Sequence, residues 1–207
     1  MTSRRRGAWL WVCCLQYFVA EAIAAAGFRG AYTFRRNFIS DLGATRCGDG
    51  ADCSPLHALM NASFVLQGAL ICAGAFLVWP LFPKGLARFA LGLIAASGLG
   101  VAVVGLAPEN AAPGWHYLGA AENLLLSNAG AALIGAALLR EQPAPRAVGL
   151  ISLGSGLLGL AGLACLAGGL DFGLGVGAIE RIAAYPFPLW LAGMGAWLLA
   201  GGGEMRR

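Results

Sequence analysis

Two histidines, a few carboxylates and two serines carry most of the reactive side chains that a site in this chain could use. His57 follows Ser54 and Pro55 and has Asn61 four residues on, so the two share one helix face. His116 follows Glu109 and Asn110 and has Asn123 seven residues on, again on one face. Ser40 and Asp41 lie together in Asn37-Phe-Ile-Ser-Asp-Leu-Gly43, and Glu180 and Arg181 stand just before Tyr185. Several chemistries fit these residue types. A serine with a histidine base and a carboxylate orienter is a hydrolytic set, here Ser40 or Ser54, His57 or His116, and Asp41. Two histidines with carboxylates suit zinc, but no His-x-x-x-His spacing supports it and no metal ligand is assigned. Two facing histidines could hold a haem. No cofactor is specified by these residues. The plain alternative for each of them is a helix-end cap or a hydrogen-bond network that ties loops down.

These residues sit among six apolar stretches. The chain of 207 residues is 58% hydrophobic and 12% charged, with a mean hydropathy of +0.71. Soluble domains carry roughly 25% charged residues, so this apolar surface belongs in lipid. A helix needs about 20 apolar residues to cross a bilayer. The spans are expected at Ala8–Gly27, Leu56–Phe82, Phe89–Ala107, His116–Leu139, Ala147–Gly169 and Tyr185–Gly203, with a long loop over 28–55. The fold expected is an all-α, six-helix membrane bundle forming one domain. The first stretch resembles a signal peptide in its Arg4–Arg6 and Ala24–Ala26 flanks, but its apolar run is too long for a cleaved signal. It is expected to be retained.

Nine of the fourteen Lys and Arg residues flank the end of the spans that carries both termini. The positive-inside rule then places both termini in the cytoplasm and the long loop outside. The net charge of +4 follows this flanking pattern, which excludes nucleic acid as a partner. The bilayer itself is the partner implied, with an oligomer or protein partner also open. Glycines 92, 98, 100 and 105 in the third span and 154, 156, 159 and 162 in the fifth are expected to pack closely in the bundle interior. Cys47 and Cys53 bracket five residues in the long loop, and an external loop would allow them to form a disulfide.

Ionisable residues at membrane depth are costly and default to a functional hypothesis. The candidates gather at the outer end: Asp41, His57, Glu109 and His116 as catalytic groups, and Ser40, Asn61, Asn110, Glu180, Arg181 and Tyr185 as binding groups. Asn128 joins the binding set from deeper in the fourth span, and Glu21 and Glu122 are the deep carboxylates. Arg181 is expected to pair with Glu180 or Glu109.

The runs Ile39-Ser-Asp-Leu-Gly-Ala44, Ser54-Pro-Leu-His-Ala-Leu-Met-Asn61, Gly105-Leu-Ala-Pro-Glu-Asn110 and Glu180-Arg-Ile-Ala-Ala-Tyr-Pro186, with His116, Gly119 and Asn128, resemble the bacterial membrane family called domain of unknown function 998. The resemblance spans about residues 32 to 200. Ser127 stands where a glycine is expected. The resemblance implies a six-helix protein of the bacterial inner membrane and supplies no established activity. Its motifs contain Asp41, His57, Asn61, Glu109, His116, Glu180, Arg181 and Tyr185. The function expected is a polar pocket at the outer leaflet that binds or modifies a lipid or lipid-linked substrate. If it is an enzyme, it is a membrane-embedded hydrolase or transferase. The alternatives are a non-catalytic accessory subunit, a small transporter, or a haem or quinone redox protein.

Overall fold

A computed structural model describes residues 2–45, 54–141 and 144–202. Cys47 and Cys53 lie outside the described residues. Among the described residues, six helical stretches are long and apolar enough to cross a membrane: Ser3–Ala26, His57–Leu81, Leu86–Leu106, Pro113–Glu141, Arg146–Ala167 and Val176–Gly202. Each packs on the next in the chain, and the sixth returns to the first, so the six close into a ring. Beyond the long 27–56 connection, the short connections between later stretches make such up-and-down neighbours the simplest arrangement. The 27–56 connection lies at one end of the ring, the loop end.

Two of the six stretches are broken. The first divides into α1 (Ser3–Cys13) and α2 (Gln16–Ala26). Between them the backbone tightens: Cys14 N–H donates to Trp11 C=O and Leu15 N–H to Val12 C=O. This is the i→i+3 pattern of a 3₁₀ turn. No proline or glycine sits there. The break instead adjoins Gln16, whose amide donates to Ser63 C=O and Gln67 Oε1, both at 3.1 Å, and accepts from Ser63 Oγ at 2.9 Å. The third, fourth, fifth and sixth helices are α3 (His57–Val78), α4 (Leu86–Leu106), α5 (Pro113–Glu141) and α6 (Arg146–Ala167).

The last stretch is also two helices, α7 (Val176–Ala184) and α8 (Pro186–Trp197). It begins at Val176 and not at Tyr185 as the hydropathy suggests. Pro186 and Pro188 cause the break, because neither can donate a backbone hydrogen bond to the turn before it. Asn128 ties this break to α5, donating to Leu124 C=O at 2.8 Å and Ala183 C=O at 2.9 Å.

The glycine expectation holds in part. Gly98, Gly100, Gly105, Gly156, Gly159 and Gly162 each sit where a Cβ would collide with a neighbouring helix, whereas Gly92 and Gly154 face no neighbour. The fifth span, α6, is the least buried of the six, at 22% of its apolar window against 39% to 50% elsewhere. Its glycines therefore serve close contact along one edge and do not mark an interior helix.

Candidate functional site

The segment 28–45 folds back over the loop end, and one side chain does most of the tying. Arg181, on α7, is buried and reaches in three directions. Its Nε and Nη2 donate to Glu21 Oε1 at 3.1 and 2.9 Å, closing a buried ion pair. Its Nη1 donates to the carbonyls of Phe34, Asn37 and Gly177, each at 2.9 Å. Its Nη2 also reaches the Tyr32 hydroxyl at 2.5 Å, and the guanidinium lies 4.7 Å from the Phe34 ring centroid. Tyr185 OH donates to Glu21 at 2.8 Å. The partner of Arg181 is thus Glu21, and not Glu180 or Glu109 as the sequence suggested. Every guanidinium N–H is committed. Burial pushes the Tyr32 hydroxyl above its ordinary pKa, so it stays protonated as a neutral member of this group.

A second tie uses backbone. Arg35 donates through Nε to Leu174 C=O at 2.9 Å and through Nη2 to Gly173 C=O, while its own carbonyl accepts from Ala178 N–H. Gly175 has φ +93° and lies so close to the Arg35 carbonyl that a Cβ would overlap it. Both features require glycine there.

Held down this way, the 3₁₀ turn Ser40–Gly43 (η1) closes over a cavity of about 80 Å³ in the centre of the ring. By volume it could take on the order of five waters. Its polar lining is Tyr17, Ser40, Gln67, His116, Asn123 and Glu180, and its apolar wall includes Phe64, Ile71, Val101, Val104 and Phe187. Ser40, Asn123, Glu180 and Ala184 are only half-buried, so the cavity is not sealed.

The hydrogen bonds around it fix several orientations. Ser40 Oγ donates to Glu109 Oε2 at 2.5 Å. Glu180 Oε2 accepts from Ile39 N–H at 2.6 Å. His116 places Nδ1 at 2.9 Å from Ala107 C=O. A carbonyl can only accept, so Nδ1 carries the hydrogen and Nε2 the lone pair. Asn123 Nδ2 donates to Ser97 C=O at 2.9 Å, which leaves its Oδ1 for the cavity side. Glu109 lies outside the helices, beside Ser40 and Asp41. Burial, reinforced by the Asp41 carboxyl and opposed by the Ser40 hydrogen bond, raises its pKa from 4.5 to about 7. Such a group holds or releases a proton near neutral pH, as general acid–base chemistry requires.

Of the sequence candidates, Ser40, His116 and Glu180 line the cavity, and Glu109 stands behind Ser40. The others hold structure around it. Asp41 accepts from Phe38 N–H at 2.9 Å and Asn37 Nδ2 at 3.2 Å, closing its own turn. His57 does not line the cavity, and its Nδ1 faces Ser54 C=O at 2.8 Å within the first turn of α3. Asn61 donates to Gly43 C=O at 2.9 Å, and Asn110 accepts from Thr45 N–H at 3.0 Å. Asn128, Arg181 and Tyr185 make the ties already described. Tyr17 and Gln67 line the cavity although the sequence did not single them out as site residues. Tyr17 stands four residues before Glu21, on the same face of α2. Among the described residues no three His, Cys, Asp or Glu side chains group as a metal ion requires.

Residues 6–197 match the model of the family described as "Protein of unknown function (DUF998)". The chain belongs to this family. A search of curated proteins and one of solved structures each found no match. Membership in DUF998 agrees with the sequence motifs, and those motifs contribute both to the cavity wall and to the ties that hold its cover.

Proposed function

We propose that the central cavity receives the polar end of a lipid or lipid-linked molecule, and that the Ser40–Glu109 pair and His116 give this site acid–base capacity. The observation that carries this reading is the cavity itself: a small polar-lined void, in an apolar wall, at the end of a membrane bundle. A volume of about 80 Å³ is well below the 300–1,000 Å³ of sites that enclose a whole small molecule. Only one end of a ligand fits, and the rest would lie in the surrounding lipid. Ser40, with its hydrogen on the half-buried Glu109 carboxyl at 2.5 Å, supports proton transfer to or from that end.

The Lys and Arg bias supports an outer-leaflet location, with both termini cytoplasmic. A reporter fused to the C-terminus checks this. A Cys47–Cys53 disulfide belongs with the same orientation, and a non-reducing peptide map detects it.

The test of the site is mass spectrometry of amphiphiles retained by the protein purified in mild detergent. Ala120 lines the cavity, so A120L fills part of it. The expected result is one retained class of amphiphile in wild type and less of it in folded A120L. Equal retention in both would place the amphiphile elsewhere on the bundle and defeat the reading. A second reading, an accessory subunit, is favoured by the poorly buried α6, and co-purification of a partner lost on substituting α6 would support it.

A further inference from the structure

Among the described residues, the polar atoms left free around the cavity are unequally divided between donors and acceptors. Glu180 uses one carboxylate oxygen on Ile39 N–H and keeps the other. Asn123 spends its amide nitrogen on Ser97 C=O and keeps its oxygen. His116 spends its Nδ1–H on Ala107 C=O, and among the described residues its Nε2 lone pair has no partner, although the side chain is 4% exposed. The Ser40 hydrogen is spent on Glu109, leaving lone pairs. The backbone adds a further acceptor. Ala184 and Pro188 both line the cavity, and Pro188 has no N–H, so the Ala184 carbonyl loses its usual i+4 donor at the cavity wall. Set against these, Gln67 and Tyr17 supply donors at the lining. Among the described residues no Lys or Arg lines the cavity, and the nearby Arg181 has all its N–H groups committed to Glu21, Tyr185, Tyr32 and three carbonyls.

We infer that the ligand group entering this cavity is a primary ammonium, held by Glu180, Asn123 Oδ1, His116 Nε2 and the Ala184 carbonyl. The inference rests on the proposed amphiphile-binding function and names the headgroup chemistry. An anionic phosphate or carboxylate would meet Glu180 with no cation among the described lining residues to offset it, and like charges in an apolar surround repel strongly. An ammonium offers three donors to a set of acceptors and shares the cost of burying the carboxylate.

The test uses the purified full chain in a neutral detergent and measures binding of decylammonium, decanol, decyl phosphate and short ethylammonium, each to wild type and to E180Q. The glutamine keeps an oxygen to accept from Ile39 N–H, so its fold is expected to survive, and circular dichroism checks that. The expected result is decylammonium binding roughly tenfold or more tighter than decanol or decyl phosphate, with that preference largely lost in E180Q. Decyl phosphate or decanol binding as tightly as decylammonium would overturn the ammonium inference and leave the amphiphile reading standing. Ethylammonium binding as tightly as decylammonium would keep the ammonium and overturn the amphiphile. Binding of none of the probes to folded wild type would overturn both. If E180Q unfolds, N123L, which removes one acceptor without touching the cover, takes its place with the same expected loss of preference.

Discussion

Glu180 and Arg181 are neighbours in sequence, yet α7 sends them into opposite environments. Arg181 enters a region where donors and acceptors are matched: Glu21, two tyrosine hydroxyls and three backbone carbonyls take its N–H groups. Glu180 enters a cavity where acceptors outnumber donors and space remains. A matched polar region has nothing left to offer a ligand and serves the fold. An unmatched one is costly to keep empty, which is why the cavity and not the larger Arg181 network is the candidate site.

The largest effect that tests this contrast is at Arg181. R181A leaves Glu21 buried without its cation and unties Phe34 and Asn37, and breaking such a pair costs about 3–5 kcal/mol. Thermal unfolding in detergent should show a large drop, with E180Q close to wild type. A drop in E180Q as large as that in R181A would erase the distinction.

Next is the pH dependence from Glu109. Its folded pKa is raised to about 7 from 4.5, so the folded state binds more protons than the unfolded state between those values. Stability contributed by the protonated group is therefore present at low pH and declines as pH rises from about 4.5 through about 7. E109Q should flatten this decline while keeping an acceptor for Ser40. Thermal unfolding across that pH range in both proteins checks it.

Smaller effects belong to the ties of the cover. N61A removes one hydrogen bond to Gly43 C=O, worth about 1 kcal/mol. R35A removes exposed contacts to Leu174 and Gly173 and should cost less than N61A, since exposed interactions contribute less than buried ones. Proteolysis rates in segment 28–45 would rank the two.

The six helices were legible because length and hydropathy are local properties of the chain. The breaks were less so. Pro186 and Pro188 signal the kink of the last stretch, but the helix before it, Val176–Ala184, carries Glu180 and Arg181 and so does not read as an apolar span. The break at Cys14–Leu15 has no proline or glycine to announce it. For the site, the cost of burying charge directs attention to Ser40, Glu109, His116 and Glu180, all at or beside the cavity. It directs equal attention to Asp41, His57, Asn61 and Asn110, which close turns and hold the cover. Residue type cannot separate the two groups, because a tie and a ligand contact use the same atoms. Only the pairing of each donor with its acceptor does. The Glu21–Arg181 pair shows the same limit, since its members lie on the first and last spans and meet only when the ring closes. Gln67 is an amide inside the second apolar stretch, and its place on the cavity wall depends on how α3 is turned.

The most direct test of the central claim is a crystal structure of the protein grown from a lipidic phase. The account predicts bound density in the ring centre, beneath Ser40, with a polar end within hydrogen-bond reach of Glu180 and Asn123 and an apolar part leading out to lipid. A structure in which side chains collapse to fill that space, with lipid only on the outer surface of the ring, would contradict it.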